Sequence, residues 1–157
     1  MEDIMENKII QAMPTVNTKV TGSVWTKIQL SKSDILLGDV FKIESDGGIA
    51  VTKAGWYRVT AGLYFNTMSN DATGYGVQVQ TGQKVRNITI PKAKGQSFYG
   101  SVFLAPKLMH IKAGEKLYLS GRINGASTLS GIVTATGVNT YLLVEQVQED
   151  KQIILEH

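Results

Sequence analysis

His110 is the one histidine away from the chain terminus, and it lies in an apolar stretch beside Met109 and Ile111. An imidazole can act as a general base for hydrolysis, but it then needs a nucleophile and an orienting partner within hydrogen-bond reach. No Gly-x-Ser-x-Gly elbow presents a serine. Glu44 and Asp46 flank one turn, Asp71 falls in a loop, and Glu145, Glu149 and Asp150 gather near the end. A glycosidase needs two carboxyls held roughly 5–9.5 Å apart, and nothing in this spacing pairs any of them. Asp34, Asp39, Asp46 and Asp71 lack the Asp-x-Asp-x-Asp-Gly spacing of a calcium loop and are expected to cap turns. The chain has no cysteine, which excludes thiolate metal sites, cysteine nucleophiles and disulfides. The sequon Asn87-Ile88-Thr89 has no use without a secretory route. These residues predict a protein that is not an enzyme and holds no cofactor or metal.

Binding chemistry is better represented. Residues 69–75 and 122–128 are loops that mix amides, hydroxyls and carboxylates with a tyrosine or an arginine. Planar rings against sugar faces and polar forks toward hydroxyls are what carbohydrate recognition uses. Asn70, Asp71, Tyr75, Arg122, Asn124 and Ser127 are therefore the candidate ligand-facing residues, with solvated turns as the plainer alternative.

The formal net charge is +3, and the basic residues are scattered, with Lys92 and Lys94 forming the tightest pair. No basic stripe with interleaved aromatics is present, so no nucleic-acid partner is expected. No apolar run reaches the ~18 residues of a membrane span. The N-terminus MEDIMENKII is acidic and lacks the apolar core of a secretory signal. A soluble protein made in the cytoplasm is the expectation. Leu155-Glu156-His157 matches the start of a common expression-tag junction and is left out of the functional reading.

The elements that must position these residues are mostly strands. Residues 46–65 read DGGIAVTKAGWYRVTAGLYF. Tyr57, Val59, Ala61, Leu63 and Phe65 alternate as one apolar face, the signature of a strand lying on a core. Trp56 and Tyr64 fall on the other face, where plain polar residues are expected. They are either subunit contacts or amphipathic rings at the surface. The closing segment TYLLVEQV puts Tyr141 and Leu143 on one face and Leu142 and Val144 on the other, so both faces are apolar and a second subunit is expected to cover one. Residues 2–13 carry apolar side chains at helical spacing and predict a short amphipathic helix ended by Pro14. Turn signals such as Asp46-Gly47-Gly48 and Gly82-Gln83 separate roughly eight to ten short strands elsewhere, with no interior helix. The reading is an all-β, compact antiparallel jelly-roll sandwich with a short N-terminal helical arm. Residues 1–14 form the arm, 15–150 the jelly-roll domain and 151–157 a tail.

Three stretches, in order, carry a family resemblance: DGGIAVTKAGWYRVTAGLYF, SVFLAPKLMHIKAGEKLYLSGRI with its turn at Lys112-Ala113-Gly114-Glu115, and GVNTYLLVEQV. Together they resemble the complement globular-head and tumour necrosis factor-like jelly rolls over residues 23–147. The resemblance implies a homotrimer in which one sheet face packs on neighbouring subunits, with Trp25, Trp56, Tyr64, Tyr141, Leu142 and Val144 as candidate contacts. Glu115 stands where the family has Asp, and no collagen-like stalk precedes the domain. A cytoplasmically made trimer of this kind, with a helical arm, resembles bacteriophage virion parts such as head fibres, capsid decorations and receptor-binding tips. That implies a non-enzymatic structural and binding protein on the virion surface, anchored to other virion proteins through the arm and facing a host cell-surface glycan. The alternative is a free bacterial lectin-like domain, extracellular or cytoplasmic.

Overall fold

The computed structural model describes residues 7–96, 100–135 and 139–150. Thirteen strands lie among them. They are β1 (Ile9–Met13), β2 (Thr18–Thr21), β3 (Thr26–Lys27), β4 (Lys32–Leu37), β5 (Phe41–Ile43), β6 (Ile49–Val51) and β7 (Gly55–Met68), followed by β8 (Gly74–Thr81), β9 (Lys84–Pro91), β10 (Gly100–Ile111), β11 (Lys116–Asn124), β12 (Ser130–Val133) and β13 (Tyr141–Glu149). The count exceeds the expectation because several strands are short pieces of two to four residues that the sequence pattern merges or hides.

The strands make two antiparallel sheets packed face to face. One has seven strands: β2, β12, β7, β13, β1 and β4 in order, with β10 on the other edge of β7. The second has six: β5, β6, β11, β8 and β9, with β3 against β11. β7 is the spine of the first sheet, since β10 runs along one edge while β13 and β12 share the other.

The alternation read in β7 is realised. Tyr57, Val59, Ala61, Leu63 and Phe65 are all buried against the second sheet's Val77, Val79, Leu117, Leu119 and Ile123 in one core. Phe41 meets Tyr57 edge-on at 5.8 Å, and Phe65 meets Tyr75 the same way at 5.6 Å. Burial pushes the Tyr57 phenol up to about 12, and its hydroxyl donates to the Lys53 carbonyl and accepts from Gln146 Nε2.

The N-terminal helix is not found where it can be seen. Residues 9–13 are β1, a strand hydrogen-bonded to β13 on one side and β4 on the other; residues 2–6 of the expected helix lie outside the described residues. The sequence Ile-Ile-Gln-Ala-Met satisfies both periods. Ile10 and Ala12 point into the core, and Ile9 and Gln11 point out. A slot between two strands offers ladder bonds on both edges, which outweighs the weak helix preference of so short a segment.

Candidate functional site

The two sheets differ on their outer faces. On the second sheet that face is polar: Lys27, Lys42, Gln78, Gln80, Lys116 and Ser120 line it, the register pairing Tyr118 with Gln80 and Ser120 with Gln78. A small network sits there. The Asp46 carboxylate accepts from the Tyr118 hydroxyl at 2.6 Å, the Gly48 N–H at 3.1 Å (through its other oxygen) and Lys116 Nζ at 3.2 Å. Lys27 lies over the Tyr118 ring, 5.3 Å from its centroid. The Tyr118 bond above all, then the Gly48 N–H and Lys116, hold the Asp46 carboxyl down at about 2, against an ordinary value of 3.8.

A depressed carboxyl stabilises the folded state at any pH above the unfolded value, and that contribution is lost as pH falls through the folded one. The loss from Asp46 therefore belongs to the window from about 4 down to about 2. In an NMR titration the Asp46 carboxyl should show a midpoint near 2, and Tyr118→Phe should move it up toward 3.8. An unmoved midpoint would remove the hydroxyl as the cause.

The first sheet turns a different face outward. Its register sets four rows across β10, β7, β13, β1 and β4. Phe103, Gly62 and Tyr141 form the first. Thr60, Leu143, Gln11 and Ile35 form the second. Leu108, Arg58, Glu145, Ile9 and Leu37 form the third, and His110, Trp56 and Gln148 the fourth. Phe103 is 47% exposed, Leu108 49% and Leu37 48%, so these are large apolar side chains standing in water. Gly62 is required by the first row. A Cβ there would meet Phe103 Cδ1 at 2.8 Å and Tyr141 Cε1 at 2.9 Å, so the two rings close over bare backbone. Partial burial raises the Tyr141 phenol above its ordinary value. Arg58 and Glu145 form an ion pair at 3.8 Å among the apolar rows.

The residues expected at a subunit contact divide. Trp56, Tyr64 and Tyr141 are on this outer face. Leu142 and Val144 are not: both are fully buried in the chain's own core, opposite Ala61 and Val59. The apolar side chain that β13 turns outward is Leu143. Trp25 is on the other sheet, where its ring stacks on the Arg122 guanidinium at 4.6 Å and covers Gly76. Phe103, Leu108, Ile35 and Leu37 were missed. Phe103 alternates with the buried Val102 and Leu104, a signal present in the sequence; Ile35 and Leu37 acquire a face only through pairing with β1.

The loop residues also divide. Asn70, Asp71, Asn124 and Ser127 share one end of the sandwich, where the Thr73 N–H donates to the Asn124 carbonyl and the Gly95 N–H to that of Asn70. Lys92 Nζ ties this end together by donating to the carbonyls of Asn70, Ala72 and Ala93 at 3.0–3.2 Å. Tyr75 instead points inward with Val77 and Val79, because β8 begins at Gly74 and its ring packs on Phe65. Arg122 lies within β11 and is held against the Trp25 ring. Both are strand residues rather than loop residues.

His110 pairs with Asp150 at 2.9 Å and meets the Trp56 ring edge-on at 5.3 Å. The pocket it lines with Trp56 presents no hydroxyl or thiol side chain. Among the described residues no group of three or more His, Asp or Glu could hold a metal ion.

No known family model matches the sequence, and no curated protein is similar to it. Solved structures are similar in fold. Eiger, the TNF from S. frugiperda, superposes with a TM-score of 0.65 over 98% of this chain and 100% of that one, at 10% identity. Murine APRIL at pH 5.0 gives 0.64 over 91% and 100%, at 14% identity, and its pH 8.5 structure 0.61 at 13% identity. At such identities the likeness establishes the fold: an all-β jelly-roll sandwich of the tumour necrosis factor type.

Proposed function

We propose that the chain is a non-enzymatic binding module that works as a homotrimer, with the part of the first sheet's outer face around Phe103, Tyr141 and Leu143 as its subunit interface. One observation carries the reading. Phe103, Tyr141, Leu143 and Ile35 place apolar side chains on the outer face of one sheet, while the outer face of the other is mostly polar. Contiguous apolar patches of this kind mark protein contact sites. The trimer-forming family that the sequence resembles, and the tumour necrosis factor-type fold, support three copies rather than two. In a ring of three the contact is heterologous, so this face meets a different surface of the next copy.

Light scattering at micromolar concentration should give about three times the 17.1 kDa chain mass. A stable monomer rejects the proposal. A virion anchor in a helical arm loses its motive, because Ile9–Met13 is a sheet strand. A particle-bound copy would have to attach through other residues. A glycan partner is proposed on separate grounds below.

A further inference from the structure

We propose that the cleft between β9 and β10 binds a small acidic saccharide, a sugar ring carrying a carboxylate. β9 ends the second sheet and β10 ends the first, so the two strands face each other across the open side of the sandwich. The gap holds a pocket of about 330 Å³. That is at the low end of the roughly 300–1,000 Å³ of small-ligand sites and suits a ligand of one or two rings rather than a chain.

Its walls mix cationic, aromatic and aliphatic side chains, Val85 and Met109 among the last. Lys84, Arg86 and Lys107 contribute three positive charges beside the Trp56 indole and Leu108. Lys84 Nζ donates to the His110 carbonyl and Arg86 Nη1 to the Ala105 carbonyl, so β10 fixes both side chains across the gap. Each keeps donors to spare, since a guanidinium has five N–H groups and an ammonium three. Among the described residues none of the three cations is in an ion pair.

The missing counter-charge does not come from the chain's own sheet. On β4, β13 and the residue after it every carboxylate is engaged: Asp34 accepts from Gln11, Glu145 pairs with Arg58, Glu149 with Lys8 and Asp150 with His110. The cleft is therefore matched to an anion from outside. A carboxylate fits the planar fork of Arg86. Trp56 is 44% exposed at the rim, and an indole at that position offers a flat apolar surface to the C–H face of a sugar ring.

Two tryptophans in the chain make the test self-controlled. Glucuronate, glucose and acetate are titrated into the protein while the indole N–H signals are followed by NMR. Glucuronate should shift the Trp56 signal and leave Trp25 unmoved, with at least tenfold higher affinity than glucose or acetate. Lys107→Gln, at an exposed position whose side chain has no hydrogen-bond partner among the described residues, should weaken glucuronate several-fold while the rest of the spectrum stays unchanged. Acetate binding as tightly as glucuronate would show an anion site only. Glucose binding equally well would remove the charge from recognition. Either result, or no Trp56 shift with glucuronate, overturns the proposal.

Discussion

Leu142→Glu should prevent folding, whereas Leu143→Glu, one position on, should yield a folded chain that no longer trimerises. The difference is one of parity. Leu142 is fully buried, paired with Ala61 on β7 and Ala12 on β1. A carboxyl there is either desolvated as an anion or held neutral with its pKa raised by ~4–5 units, and holding it neutral at pH 7 against an unfolded value of about 4.3 costs about 4 kcal/mol. Loss of the leucine packing adds about 3 kcal/mol. The sum is comparable with the whole stability of an ordinary domain, about 5–15 kcal/mol. Leu143 is half-buried on the outer face, between Thr60 and Gln11. In a lone subunit a glutamate there reaches water. At a closed interface it becomes an unpaired buried charge and costs several kcal/mol. Circular dichroism and light scattering on both variants separate the outcomes. A Leu143→Glu protein that stays trimeric puts the interface elsewhere, and a well-folded Leu142→Glu protein contradicts the sheet register itself.

Gly22→Ala should lower stability by about 3 kcal/mol, the upper range for overpacking, and the melting temperature by roughly 6–12 °C. Gly22 follows β2 and bridges to Ile123, while the residues after β11 fold back over it. A Cβ would fall 1.9 Å from the Ala126 carbonyl oxygen and 2.7 Å from its carbon. Both are backbone atoms, so no side chain can swing aside. The Ala126 turn would have to lift. Gly22 N donates to the Leu129 carbonyl at 2.9 Å, and Ser23 Oγ to that of Gly125 at 2.7 Å, so lifting it strains the bonds that close the loop. Ser23 already holds a positive φ of 62° there. Thermal melting gives the size of the loss, and hydrogen exchange at Leu129 should show it concentrated at this end. A change below about 1 kcal/mol would mean the loop yields freely.

The sequence was most legible where one period fitted one environment. β7 shows this best: polar residues interleave with its core residues, and the structure follows that pattern over five inward positions. In Tyr141-Leu142-Leu143-Val144 no polar residue marks the water side. Which pair points inward is decided by register, Val144 falling opposite Val59, and register belongs to the neighbouring strand. Ile9–Met13 failed for a related reason, since a short apolar segment fits either period and long-range pairing made the choice. Tyr75 was readable after all: it stands two residues before Val77 and four before Val79, on their face. The β9–β10 cleft was out of reach because Lys84, Arg86, Lys107 and Trp56 come from three strands that meet only after the sandwich closes.

The place of β1 beside β13 has a consequence for biosynthesis. The first described strand completes its ladder on the last, so a nascent chain emerging from the ribosome carries Ile9–Met13 without its β13 partner until every strand between them has been made. Pairing with β4 can come early; the second edge must wait. The core-facing Ile10 and Ala12 are left exposed to wrong partners in the interval. Folding of this jelly roll is therefore expected to finish only once β13 has emerged, in one late step that joins its first and last described strands.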